Sequence, residues 1–201
     1  MYNLRIQKGK YKGRLIQAPV PVQGISNSTP SRIKEAVFQI LEVRIQDKTE
    51  YTFFDLCSGS GQIAFEALSQ GFERVHLSEL DQDRFSSILK EVKKNNFKII
   101  LHKKNFLKMI PLIETSKKSI IYLDLPYSLW TDGKSSQISH FFEVIEHLCL
   151  EKRHILSGFI FIQSPNEYIP ESTLNHIKKL SHRSYGSNSI TLFEFFSGSK
   201  N

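Results

Sequence analysis

Three short segments carry residues whose types and spacing suit a single reaction. The first is Asp55-Leu56-Cys57-Ser58-Gly59-Ser60-Gly61. Gly59 and Gly61 let the backbone approach a ligand closely. With Ala64 they also make a variant dinucleotide fingerprint, Gly-x-Gly-x-x-Ala. Asp55 argues for a different ligand. A carboxylate there would repel a pyrophosphate, but it suits the cationic amino-acid portion of S-adenosylmethionine (SAM), directly or through water. Cys57 and Ser58 complete this loop.

The second segment centres on Glu79, twenty residues after Gly59. An acid at this place can accept hydrogen bonds from both hydroxyls of a ribose. It serves NAD and SAM alike. Asp81 is read as the cap of the next helix. Asn105 is either an adenine partner or a plain helix cap. Leu80 and Phe106, beside Glu79 and Asn105, are counted with the cofactor-binding residues.

The third segment is Asp124-Leu125-Pro126-Tyr127. An exocyclic amine on a base is a poor nucleophile because its lone pair is delocalised into the ring. Acceptors for its N–H bonds localise that pair toward a methyl group. Asp124 and the carbonyl of Leu125 can be those acceptors, Pro126 limits the loop's freedom, and Tyr127 can stack on the extruded base. The reaction is an in-line transfer from a sulfonium, in which holding the reactants in line supplies much of the rate. No metal is required. The histidines show no ligand spacing, and Cys57 and Cys149 form no CxxC or Cys/His pattern, so neither a zinc site nor a disulfide framework is expected. No base lies near Cys57 in sequence to make it a nucleophile.

These segments must sit on strand ends, and the surrounding pattern supplies strands. From residue 51 the chain alternates. Strands are predicted at Tyr51–Leu56, Arg74–Ser78, Lys98–His102, Ser119–Leu123 and Phe159–Gln163. Helices are predicted at about 61–70 with Gly71 as the stop, 81–95, 106–114, 135–150 and Thr173–Leu180. Alternation of this kind predicts a parallel, doubly wound α/β sheet, with the fourth strand beside the first across the switch point. His182–Tyr185 and Ile190–Phe196 read as a closing hairpin that makes one strand antiparallel. Residues 4–18 read as a β-hairpin and 19–28 as a linker. A helix begins near Pro30, capped by Thr29, with Ile33, Ala36, Val37, Ile40 and Leu41 as one apolar stripe. The domain division expected is 1–28 and 29–201.

The 201 residues carry a net charge of +7. Residues 1–44 hold eight lysines and arginines against two acids, so most of the excess lies at the N-terminal end. A polyanionic partner there is the natural expectation. The candidates are Arg5, Lys8, Lys10, Tyr11, Lys12, Arg14, Arg32 and Lys34. No apolar run approaches the roughly 20 residues needed to span a bilayer, and the first residues show no signal-peptide pattern. A soluble, cytoplasmic protein that does not engage membranes, and a monomer, is expected.

With these residues assembled, the chain resembles the RsmD family of bacterial methyltransferases. Gly9-Lys10-Tyr11-Lys12-Gly13-Arg14 resembles that family's basic hairpin. Thr29 to Phe38 resembles its T-x-x-R-[VI]-[RK]-E-[AT]-[LVI]-F helix. Asp55 to Gly61 resembles its D-x-[FY]-A-G-[ST]-G loop, with Cys57 and Ser58 as departures. Phe65-Glu66-Ala67-Leu68-Ser69-Gln70-Gly71 resembles L-E-A-L-S-R-G, and Glu79-Leu80-Asp81 resembles E-x-D. The family's D-P-P-[YF] stands here as Asp124-Leu125-Pro126-Tyr127, where leucine restores an N–H and frees φ. The resemblance implies a Rossmann-like class I methyltransferase with a mostly parallel seven-stranded sheet, an antiparallel C-terminal hairpin strand, and a small N-terminal hairpin and helix. It implies SAM as cofactor and methylation of N2 of guanine 966 in 16S rRNA, with the rRNA or a small-subunit particle as partner. A DNA adenine-N6 or cytosine-N4 methyltransferase shares the D-x-P-Y chemistry, but such enzymes usually carry a further recognition domain. An NAD-dependent oxidoreductase leaves Asp124 to Tyr127 unexplained. An inactive RNA-binding relative is the third competing reading.

Overall fold

The computed structural model describes residues 2–18, 29–116, 118–131, 136–151 and 156–197. The expected linker 19–28 and the expected helix start at Ser135 lie outside these. The chain forms two compact units, Met1–Phe106 and Leu107–Asn201.

In the first unit, β1 (Tyr2–Arg5) pairs antiparallel with β2 (Leu15–Ala18), with Leu4 opposite Ile16. Helix α1 (Ser31–Arg44) buries Ile33, Ala36, Val37, Phe38 and Leu41. It is capped one residue later than expected. Pro30 is the N-cap, without a side-chain bond, and its carbonyl accepts from Ile33 and Lys34. Then follow β3 (Thr52–Leu56), α2 (Gln62–Ser69), β4 (Arg74–Ser78), α3 (Gln82–Asn95) and β5 (Ile99–His102). The three strands are parallel, with Asp55 opposite Leu77 and His76 opposite Ile100. All five residues of β3 are buried, as expected of a strand covered on both faces. Asp81 caps α3 through the N–H groups of Asp83 and Arg84, and Asn96 ends it at φ +52°. A left-handed asparagine there satisfies the last carbonyls much as glycine would.

The second unit holds α4 (Ile110–Glu114), which follows a 3-10 turn over Phe106–Met109. It continues through β6 (Lys118–Asp124), α5 (Ser128–Thr131), α6 (Ser136–Leu150), β7 (Ser157–Pro165), β8 (Ile177–Tyr185) and β9 (Asn188–Phe196). β6 and β7 are parallel, whereas β9 runs antiparallel to both β7 and β8. The sheet is seven-stranded, mostly parallel, in the order β5-β4-β3-β6-β7-β9-β8. Gly158 makes room for this pairing, since a Cβ there would lie 1.8 Å from the Ser119 carbonyl oxygen.

One predicted element is overturned. Residues 173–180 are not a helix. Leu174, Ile177 and Leu180 recur every three residues, which mimics one helical face, but the chain turns at 175–176 and enters β8. Glu146 on α6 fixes the turn, accepting from the backbone N–H groups of Asn175 and His176 and from His176 Nδ1 at 2.9–3.1 Å. β8 is an edge strand that presents Lys178 and Arg183 to solvent. Charged side chains of this kind protect an edge from unwanted pairing.

Candidate active site and basic surface

In the first unit, the loop between β3 and α2 carries three left-handed residues: Cys57 (φ +61°), Gly59 (φ +57°) and Gly61 (φ +73°). Cys57 takes this conformation at a cost that glycine would not incur. Asp55 is buried at the strand end, and its Oδ2 accepts from Ala64 N at 3.0 Å. The acid therefore caps the first turn of α2, where the helix dipole favours negative charge. Ser58 Oγ bonds the carbonyls of Asp55 (2.7 Å) and Ser78 (3.1 Å).

Glu79 ties this loop to the one after β4. Its Oε2 accepts from Gly59 N (2.8 Å), and its Oε1 accepts from Leu80 N (2.8 Å) and Asp81 N (2.9 Å). A carboxylate offers about four acceptor sites, so three backbone donors leave it one. Leu80 itself is exposed. Asn105, half-buried, directly precedes the 3-10 turn, and Phe106 is buried. Two buried polar atoms in this region have no hydrogen-bond partner, Gln62 Oε1 and Ser78 Oγ. Gln62 opens α2 and Ser78 immediately precedes Glu79. Unpaired buried polar atoms are costly, and a polar ligand in this loop would supply the missing partners. The residues present therefore fit a nucleoside bearing an amino-acid group.

In the second unit, Asp124 ends β6 opposite Gln163 of β7. The residue is half-buried, and burial of its carboxyl pushes the pKa up to about 7. Leu125 is buried. Its side chain anchors the loop and offsets the φ freedom that a proline would have removed. Pro126 and Tyr127 are exposed, and their carbonyls accept from Leu129 and Trp130, which starts α5. The Tyr127 hydroxyl donates to Glu167 Oε1 at 3.0 Å. Trp130 is buried with an unpartnered Nε1, its ring 6.0 Å from that of Tyr168. Sequence reasoning missed Glu167, Tyr168 and Trp130. The usable signal was position, because Asn166-Glu167-Tyr168 lies at the carboxyl end of a parallel strand, where ligands bind in such sheets.

The basic residues of the first unit separate into two groups. Arg5, Lys10, Lys12, Arg14 and Arg32 are exposed, Tyr11 is half-buried, and Lys8 lies 4.0 Å from Glu42. Lys34 corrects an expectation. It is 1% exposed and its Nζ lies 3.5 Å from Glu66 Oε1, so it cannot reach a polyanion. It falls one turn before Val37 and Phe38 on α1 and turns inward with them. Glu66 also accepts from Gln7 N (2.6 Å), and Ser69 Oγ accepts from Tyr11 N (2.9 Å) while donating to the Lys8 carbonyl (2.5 Å). Glu66 and Ser69 of the Phe65–Gly71 motif thus dock the hairpin onto α2. Among the described residues no group of His, Cys, Asp and Glu could hold a metal ion, and no helix is long and apolar enough to cross a membrane.

A family model described as Conserved hypothetical protein 95 matches residues 4–194. Among curated proteins, none matches the sequence. Among solved structures, the chain is similar to yhhF from Escherichia coli, described as a candidate methyltransferase. That match has 19% identity, covers 96% of this chain and 98% of the other, and has a TM-score of 0.69. A hypothetical protein of Thermus thermophilus is similar at 22% identity, with 94% and 98% covered and a TM-score of 0.67. An RNA methyltransferase of Salinibacter ruber, solved with S-adenosyl-L-homocysteine, is similar at 14% identity, with 87% and 95% covered and a TM-score of 0.52. The fold is the Rossmann-like fold of these neighbours.

Proposed function

The chain belongs to the RsmD family, that of Conserved hypothetical protein 95, and from that premise we propose that it is a SAM-dependent methyltransferase acting on the N2 amine of a guanine in 16S rRNA. The methyltransferase class and its cofactor rest on the family match and on neighbours of that class. RNA as substrate draws on the exposed basic hairpin and the Salinibacter neighbour. Guanine 966 as the target draws on the family resemblance alone.

The observation that carries the reading is Asp124 followed by Leu125-Pro126-Tyr127 at the carboxyl end of β6. When bound, SAM supplies an electrophilic methyl group on a sulfonium. Asp55, Ser58, Gly59 and Glu79 shape the loop that holds it, and Gln62 and Ser78 offer it polar partners. The Asp124 carboxylate and the Leu125 carbonyl accept the amine's N–H bonds and localise its lone pair. As the amine takes the methyl group, the methyl–sulfur bond would break with its electron pair left on a neutral thioether, and the nitrogen becomes positive and gives up a proton. A carboxyl held near pH 7 is well matched to receive it, because a base works best with a pKa near the working pH. Tyr127 presents an exposed ring against which the base stacks.

The test is methyl transfer from labelled SAM to unmodified 16S rRNA, partly assembled small subunits and duplex DNA, followed by nucleoside analysis. Wild type should form N2-methylguanosine and Asp124→Ala should not. Label on DNA adenine or cytosine would replace this reading with that of a DNA amine methyltransferase.

A further inference from the structure

The hairpin does not end as an isolated basic arm. Its last cation is built onto the C-terminal end of α3. Arg14 Nη1 donates to Asn95 Oδ1 at 3.4 Å, and the guanidinium lies 5.3 Å from the Tyr11 ring centre and 5.6 Å from that of Phe97. The two rings meet edge to face at 5.0 Å. Lys93 and Lys94 in the last turn of α3, and Lys98 just beyond it, are exposed cations that flank this anchor in sequence, and Lys10 and Lys12 are exposed on the hairpin.

The acids on α3 and those that meet the hairpin do little to offset this charge. Glu91 is buried and lies 3.8 Å from Lys94, Glu66 is buried against Lys34, Glu42 faces Lys8, and Asp83 is at the other end of α3. Lysines in a last helical turn complement the helix dipole, which accounts for Lys93 and Lys94 alone. It does not account for an arginine from a distant hairpin fastened beside them, where like charges repel.

We infer that the hairpin and the C-terminal end of α3 form one phosphate-binding surface, with Lys93, Lys94 and Lys98 as RNA contacts alongside Lys10, Lys12 and Arg14. The inference rests on the proposed RNA substrate and extends it to a second element. The surface binds backbone rather than bases. Tyr11, the aromatic ring of the hairpin turn, is already engaged by Phe97, Arg14 and Lys10, so charge is what the surface offers. Contacts of this kind position a nucleic acid without reading its sequence.

The experiment measures binding of a labelled 16S rRNA fragment by the full chain across roughly 50–200 mM salt. Lys93→Ala/Lys94→Ala is compared with Lys178→Ala/Arg183→Ala, a charge-matched control on β8. The α3 variant should bind RNA about tenfold more weakly. Its log–log salt slope should fall by about 0.7–0.9 per lost phosphate contact. SAM affinity and kcat at saturating RNA should stay unchanged while KM rises. Equal slopes for the two variants would overturn the surface, whereas preferential binding of duplex DNA through the same lysines would overturn RNA as its occupant. Wild type that binds RNA with the predicted slope difference but methylates no RNA would defeat the proposed function and leave the surface standing.

Discussion

Tyr127 donates its hydroxyl to Glu167 Oε1 across 3.0 Å, joining the loop after β6 to the loop after β7. Tyr127 is 52% exposed, so the bond fixes the direction of a ring whose surface remains open. Glu167 is held in turn by its neighbours. Asn166 bonds the backbone of Gly186 and Ser187, and Tyr168 N donates to the Pro165 carbonyl. An aromatic ring tethered at its hydroxyl can receive a base without first losing rotamer freedom, which lowers the cost of binding.

If Glu167 acts through Tyr127, removing either end of the bond costs the same interaction once. Tyr127→Phe and Glu167→Ala should each lower kcat/KM by about three- to tenfold, and the double variant should lose little more than either. Additive losses would mean that the two residues act separately. A second readout needs no activity. The hydrogen bond to Glu167 raises the Tyr127 phenol above its ordinary range, so ultraviolet titration of Glu167→Ala should show one tyrosine ionising at lower pH than in wild type.

Asp124 gives a pH dependence with a definite sign. It must be ionised to accept the amine's N–H bonds, and burial places its carboxyl at about 7. The rate at saturating substrates should rise through about pH 7 and level off above it. Asp124→Asn should be slower by about a hundredfold or more and lack that rise. A wild-type profile flat from pH 6 to 8 would remove Asp124 from the role. Stability should move in the opposite direction. The folded carboxyl holds its proton more tightly than the unfolded one, so its favourable contribution is complete below about pH 4 and is lost as pH rises through about 7. Asp124→Asn should therefore melt several degrees above wild type at pH 8 and close to it at pH 4, as calorimetry would register.

Gly9 and Gly13 separate backbone strain from docking. Both have positive φ, +81° and +86°, but a Cβ on Gly9 would lie 1.9 Å from the Ser69 carbonyl oxygen, whereas one on Gly13 meets nothing within 4 Å. Gly13→Ala should cost only the left-handed penalty, about 1–2 kcal/mol. Gly9→Ala adds a collision with backbone and should break the bond from Lys10 N to Ser69 O (2.7 Å). Trypsin should then cleave the Lys8–Arg14 stretch faster in Gly9→Ala than in Gly13→Ala. Equal rates would show that the hairpin is not held by this contact.

Strand positions and strand ends were legible because they depend on patterns within a few residues. The compact run of β3 before its glycine turn and the aspartate capping α3 announce themselves locally. What was hidden depends on partners far along the chain. Lys34 looked like a surface cation because Glu66, which draws it inward, is 32 residues away. The segment 173–180 looked helical because the residue that turns it, Glu146, belongs to another element. Glu167 was overlooked because a lone acid in a loop carries no signal until Tyr127 is seen beside it. Glu79 was legible as a position, but its three backbone donors were not.

Those donors make Glu79 the sharpest test of the cofactor loop. It holds Gly59 with one oxygen and Leu80 and Asp81 with the other, so it braces two loops while keeping one acceptor site for a ligand hydroxyl. Glu79→Gln keeps the size but replaces one acceptor oxygen with a donor. If that amide nitrogen meets Gly59 N, two donors face each other. If it meets Leu80 and Asp81, three do. Either arrangement opens the loop. SAM affinity measured by calorimetry should fall by about tenfold to a hundredfold, as loss of one or two charge-assisted hydrogen bonds implies. Asp81→Ala, which removes only the α3 cap, should cost about 1 kcal/mol of stability and leave SAM affinity within about twofold. Equal SAM affinity in Glu79→Gln and wild type would mean that the ligand does not use this loop.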